Sequence, residues 1–275
     1  LASRLLVPSE AHRQLLSRLL QVNLERFQVV PNCAVTQLRP RLDNRSPGFP
    51  ERRLRIAYWG YLVNLKGVHH ILEAVRKLRD PAAVEVLLAG LAPDPPYLES
   101  LKKLADGLSV TFSGEYQPDD LSRLDVDLAI FPSLAAESYG LVLDEAFQLG
   151  LPVIVSDRGA LAERVGQAGL VFTAGNSQEL AQKIQDILDT PSVLETLRKK
   201  PAIPSPSLAE HTQTLETIYE EVRRQPLRKP GGGAVTVDQA ARFAVRLASR
   251  NREIQSLVTT LQQEGERAKQ QAATY

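Results

Sequence analysis

The sequence predicts an α/β fold with a doubly wound parallel sheet, and three observations carry that expectation. Short apolar runs at residues 54–58, 84–88, 128–131 and 153–155 have the length of strands buried on both faces. The stretches between them place apolar residues three and four apart, the period of a helix packed along one side. Glycine or proline closes most of these segments, so strand and helix alternate as a parallel sheet with crossover helices requires.

At the start of the chain, Leu5-Leu6-Val7 reads as a strand entering a helix capped near Ser9, with Ala11, Leu15, Leu16 and Leu19 on one apolar face. Residues 27–32 read as a strand ending in a Val-Pro-Asn turn. Residues 39–53, rich in Arg, Pro, Asn, Ser and Gly, read as a linker. The strand at 54–58 then leads through Trp59-Gly60-Tyr61 and Asn64-Leu65-Lys66-Gly67 into a helix with Val68, Ile71, Leu72, Val75 and Leu78 inward. This turn has the logic of a phosphate site: free N–H groups, a positive helix end and a lysine. It is neither a Gly-x-Gly-x-x-Gly turn nor a P-loop. His69 and His70 are adjacent and cannot share one helix face, so they read as helix flanks and not as a metal site.

A strand at 84–88 closed by Gly90 and a helix at 97–105 come next. A strand at 110–112 then ends at Ser113-Gly114-Glu115-Tyr116. Residues 127–156 form the central unit, a strand, loop, helix and strand. The helix opens at Gly140, and the N–H groups of Gly140, Leu141 and Val142 are expected to face the carboxyl edge of the sheet, where open α/β folds bind ligands. Glu137 and Glu145 flank that helix start. A helix running between them would separate them by about 12 Å, too far to act as a carboxylate pair on one atom. They read as two grips on one long ligand. After this unit, 156–159 turns into another helix, 169–172 is an edge strand, and a helix at 177–188 is capped by Ser177. A helix at 207–224 places Leu208, Leu215, Ile218 and Val222 inward. Beyond a Gly- and Pro-rich linker at 225–235, Thr236 and Gln239 have capping-box spacing. The seam Val237, Ala240, Ala244, Leu247, Asn251, Ile254, Val258, Leu261 has heptad spacing, with Asn251 at a register-fixing core position.

The motif series Pro132-Ser133, Glu137-Ser138-Tyr139-Gly140, Asp144-Glu145-Ala146 and Gly150-Leu151-Pro152-Val153 closely resembles the retaining glycosyltransferases of the large group 1 family, which have the two-domain GT-B architecture. The resemblance implies a Rossmann-like donor-binding domain at 54–224. Residues 1–38 would be the end of an N-terminal acceptor domain lying mostly upstream of Leu1, 39–53 the interdomain linker and 236–275 a helical association segment. The implied reaction transfers a hexose from a nucleoside diphosphate sugar to a glycan or lipid-linked acceptor, with no further cofactor. Among site residues, it implies that Glu137 lies near the sugar and that Glu145 holds the ribose hydroxyls. Lys66 meets the diphosphate beside Gly60 and Gly67, while Ser138, Tyr139, Gly140, Leu141 and Val142 form the donor loop. Gly114, Glu115 and Tyr116 lie near the base. One departure stands out: Tyr61 occupies the place where the family carries an arginine next to this lysine. The alternative this leaves open is a non-catalytic, nucleotide-binding scaffold of the same fold that oligomerises through its C-terminal helix. A nucleotide-sugar epimerase on this architecture is a more remote reading, against which the spacing of Glu137 and Glu145 speaks.

Composition bounds these readings. The 33 basic and 32 acidic side chains nearly cancel, which gives no field for nucleic acid. One cysteine, Cys33, fits a reducing compartment, and no apolar run is long enough to span a bilayer. The expected location is therefore cytoplasmic, with placement at a membrane surface compatible with a lipid-linked acceptor.

Overall fold

The computed structural model describes residues 4–33, 38, 49–200 and 203–224. Arg4–Glu220 form one compact unit. Of the second unit, Leu1–Ser3 and Glu221–Tyr275, only 221–224 are described. The expected heptad seam, residues 39–48 of the expected linker at 39–53 and the linker at 225–235 lie outside the described residues.

The chain opens with β1 (Leu5–Val7), α1 (Glu10–Leu20) and β2 (Phe27–Val29), the two strands pairing in parallel as a small separate sheet. The main sheet follows in strict alternation: β3 (Leu54–Trp59), α2 (His69–Arg76), β4 (Val84–Ala89), α3 (Pro95–Ala105), β5 (Val110–Gly114) and α4 (Pro118–Leu121). It continues through β6 (Leu128–Phe131), α5 (Leu141–Gln148), β7 (Val153–Ser156), α6 (Ala160–Arg164), β8 (Gly169–Phe172), α7 (Ser177–Asp189), α8 (Ser192–Arg198) and α9 (Leu208–Arg224).

All six main strands are parallel, in the order β5-β4-β3-β6-β7-β8. The chain therefore builds outward from β3 to one edge, returns to the other side of β3 and builds outward again. That reversal puts the topological switch point between the carboxyl ends of β3 and β6, where ligands of doubly wound sheets bind. Every residue of β6 and β7 is buried, as both-face coverage demands, whereas the edge strand β5 has no buried residue and β8 buries only Phe172. Leu54, Ile56, Ile71, Leu88, Leu128 and Ile154 are fully enclosed, and each such side chain contributes about 1.5–3 kcal/mol relative to exposure. At the opposite end of the sheet, Arg52 meets Asp127 at 2.7 Å and Arg55 meets Asp125 at 2.5 Å, fastening the start of β3 to the start of β6.

Several local expectations change. The cap of α7 is Asn176, which accepts from the Glu179 N–H, because the Ser177 hydroxyl is taken by Lys77 Nζ at 2.6 Å. Leu208 is 64% exposed and only Ile218 of α9 is buried, so this helix lies on the unit by a narrow stripe, with His211 Nδ1 placed 2.8 Å from the Pro31 carbonyl. Leu19 is likewise 60% exposed. Ser9 caps α1 as expected, its hydroxyl accepting from the His12 N–H at 3.1 Å, and the Glu163 carboxylate adds a second cap by accepting from the Glu10 and Ala11 N–H groups. His69 and His70 are more than flanks: His69 Nδ1 lies 2.9 Å from the Tyr97 hydroxyl and His70 Nδ1 lies 3.0 Å from Glu73. Burial, then the neighbouring His70, pulls the His69 pKa down to about 4, so this ring is neutral at pH 7.

Candidate functional site

A cleft of about 490 Å³ opens at the switch point. Its first wall is the carboxyl end of β3, where Tyr58, Trp59 and Gly60 continue into Tyr61 and the 3-10 turn carrying Lys66. Its second wall is the loop after β6, from Ser133 through Glu137 to the start of α5. The two walls are stitched together by backbone: the Leu65 carbonyl accepts from the N–H groups of Leu134 at 2.9 Å and Ala135 at 3.2 Å. Gly67 makes this approach feasible. It ends the turn at φ 68°, and a Cβ there would stand 2.1 Å from the Pro132 carbonyl oxygen.

Four successive carbonyls of the second wall are engaged away from the cleft. Glu137 O accepts from the Ala160 N–H at 2.9 Å, and Ser138 O from the Ser9 hydroxyl at 2.7 Å. Arg164 Nη1 then donates to both Tyr139 O and Gly140 O at 3.1 Å. Gly140, Leu141 and Val142, whose N–H groups precede the first intrahelical bonds of α5, line the cleft. Gly140 has φ 80°, and a Cβ would meet Leu161 Cδ2 at 2.5 Å, so only glycine packs at this helix start.

A buried knot holds that loop. The Arg164 guanidinium lies 3.6 Å over the Tyr139 ring and donates through Nη2 to Asp144 Oδ1 at 2.5 Å. Ser205 donates to the same Asp144 oxygen, and its hydroxyl also meets that of Tyr139, which donates to the Asn32 carbonyl at 2.8 Å. Burial raises the Tyr139 pKa above that of an ordinary phenol, so the hydroxyl keeps its proton as a donor. Sequence reasoning passed over Arg164 and Ser205. The available signal was Asp144 itself, a carboxylate on the apolar face of α5, which calls for a buried cation.

The two glutamates have different partners. Glu137 Oε1 accepts from Lys66 Nζ at 2.5 Å and from the Ser133 hydroxyl at 2.9 Å. Glu145 Oε2 accepts from the Trp59 indole N–H at 2.7 Å, just behind the β3 wall. Burial lifts the Glu145 pKa above the ordinary carboxylate range, although the Trp59 bond pulls it back. Tyr116 lines the cleft beside it, its phenol pushed up to about 12 by burial and then by the Glu145 charge. Thus Gly60, Lys66, Glu115, Tyr116, Glu137, Ser138, Tyr139, Gly140, Leu141 and Val142 all line one cleft. Gly67, Gly114 and Glu145 do not line it; Gly114 bonds through its carbonyl to the N–H of Gly90, which does. Asn32, Leu91, Phe131 and Leu161 also line it, though the sequence reading proposed none of them as a site residue. Among the described residues no three His, Cys, Asp or Glu side chains gather as a metal site, and no helix is long and apolar enough to cross a membrane.

The family model described as glycosyl transferases group 1 matches residues 53–190, half of the chain. The chain belongs to the group 1 glycosyltransferase family. Its curated relatives include the sulfoquinovosyl transferase SQD2 of Arabidopsis thaliana, 31% identical over 176 residues that make up 62% of this chain and 32% of that protein. An MMP α-(1→4)-mannosyltransferase of Mycolicibacterium hassiacum is 32% identical over 182 residues, 64% of this chain and 43% of that one. The chain thus spans less than half the length of these group 1 relatives. Among solved structures, Anabaena Alr3699/HepE in complex with UDP and glucose superposes with a TM-score of 0.64 at 22% identity, covering 80% of this chain and 64% of that one. Sucrose-phosphate synthase of Thermosynechococcus elongatus does so with a TM-score of 0.66 at 22% identity, covering 81% and 59%. These two structures show the likeness of fold.

Proposed function

We propose that the unit around this cleft binds the nucleoside diphosphate sugar donor of a retaining hexosyltransferase. The observation that carries this reading is convergence: Lys66, the sole cation lining the cleft among the described residues, Glu137 and the residues opening α5 all line one space at the switch point. A diphosphate fits the lysine and the helix start, and sugar hydroxyls fit Glu137. Glu145, held by Trp59 behind the same wall, suits ribose hydroxyls, and Tyr116 a base. Relatives solved with UDP and UDP-glucose support the ligand class. In this reading the segment before residue 39 belongs to the acceptor-side domain, 54–224 is the donor-binding domain, and 236–275 serves self-association.

In the transfer step, Lys66 and the α5 N–H groups stabilise the charge that grows on the leaving diphosphate, while Glu137 fixes the sugar. Tyr61, uncharged and 58% exposed on the same wall, favours one competing reading, a module that binds the nucleotide without transfer. A thermal-shift panel of nucleoside diphosphates and their sugars tests the proposal. Stabilisation by one base series is expected, and a chain indifferent to every member would overturn donor binding. Sugar transfer or slow donor hydrolysis separates the transferase from the binding module.

A further inference from the structure

We infer that Glu137 sets this cleft against bare nucleoside diphosphates by competing with their phosphates for Lys66. The inference rests on the donor-binding reading above. Among the described residues Lys66 is the one cation lining the cleft, and its ammonium already sits 2.5 Å from Glu137 Oε1. The loops that carry the pair cannot drift apart, since Leu65 O is bonded to Leu134 and Ala135 and Gly67 is pressed against Pro132. The pair therefore opens by rotation of the lysine side chain, which is 35% exposed, and not by loop movement.

A phosphate that captures Lys66 leaves Glu137 without its cation and facing an anion. Among the described residues its remaining partner is the Ser133 hydroxyl, and Glu115 adds a second carboxylate to the same cleft. Tyr61 brings no compensating charge to that wall. A sugar on the diphosphate reverses the balance. It removes one negative charge from the terminal phosphate and offers hydroxyl donors to the carboxylate that Lys66 has released. The exchange then leaves Lys66 bonded to a phosphate and Glu137 hydrogen-bonded to the sugar, against one negative charge fewer than the bare diphosphate presents. Glu137 is thus a specificity-determining residue that retains the donor and expels the diphosphate product.

Calorimetric titration of the full chain with UDP, ADP and GDP and with their glucose-bearing forms tests this. The wild type is expected to bind the sugar form at least about fivefold tighter than the matching diphosphate. In Glu137→Gln, which keeps the size and an acceptor for Ser133, the diphosphate should tighten by about fivefold or more while the sugar form stays level or weakens. Glu137→Asp, one methylene shorter, should move the same way by less. Wild-type binding of both forms with an unchanged or weaker diphosphate in both variants would overturn the inference. A wild type that binds neither form would overturn the donor-binding reading itself.

Discussion

Two ion pairs of the same length brace the two ends of the donor loop. Lys66–Glu137 and Arg164–Asp144 both measure 2.5 Å, yet the side chains of the first are 35% and 18% exposed and those of the second 6% each. The buried pair has lost its water, and each charge depends on the other, on Ser205 and on the Tyr139 and Gly140 carbonyls. It cannot exchange partners without a large cost. The open pair keeps solvent at the lysine and a second donor at the glutamate, so exchange is cheap. One pair builds the loop, and the other lets it bind.

Breaking the buried pair should have the largest effect. Arg164→Ala strands Asp144 and frees two carbonyls, and should cost about 3–5 kcal/mol, lowering Tm by roughly 6–20 °C in calorimetry. Changing both members to Leu should recover much of that loss, and a double variant no better than the single one would show that the carbonyl bonds matter more than the charges. Lys66→Ala should do the reverse: Tm stays close to that of the wild type, while nucleoside diphosphate affinity falls by about 1.5–3 kcal/mol, roughly tenfold to a hundredfold by titration calorimetry. An unchanged affinity would remove Lys66 from the site. Tyr139→Phe keeps the ring under Arg164 but loses the bonds to Asn32 and Ser205, and should cost about 1–2 kcal/mol of stability by chemical denaturation.

The smallest effect concerns Glu145. Its pKa is raised in the folded chain, so the proton is held more tightly there than in the unfolded chain. The stability this gives is present in acid and is lost as pH rises through the raised value. Glu145→Gln stays neutral and still accepts from Trp59. It should gain under about 1 kcal/mol at pH 7 and nothing near pH 3, where both states of the wild type are protonated. Melting curves with no pH dependence in this difference would contradict it.

The same contrast explains what the sequence made legible. The strands and their alternation with helices followed from apolar runs and punctuation because burial on both faces leaves a direct compositional mark, as in β6 and β7. The cleft residues Lys66, Glu137 and Gly140 were legible because their spacing around a helix start carries its own chemistry. The knot was not, since Arg164 and Ser205 meet Asp144 only through the fold, over separations that no local pattern records. The caps and faces that changed, Asn176 in place of Ser177 and an outward Leu208, were settled by tertiary partners such as Lys77 and by the narrow stripe α9 buries.

Trp59 is the one tryptophan in the chain. Its indole N–H rests on Glu145, its ring meets Phe131 edge-on at 4.9 Å, and it lines the cleft. The site therefore carries its own optical probe. Emission excited at the indole band comes from this position alone, without label or background from a second indole. Occupancy of the cleft and protonation of Glu145 should each shift its intensity or wavelength, and stopped-flow mixing would then time the entry of a ligand in the unmodified protein.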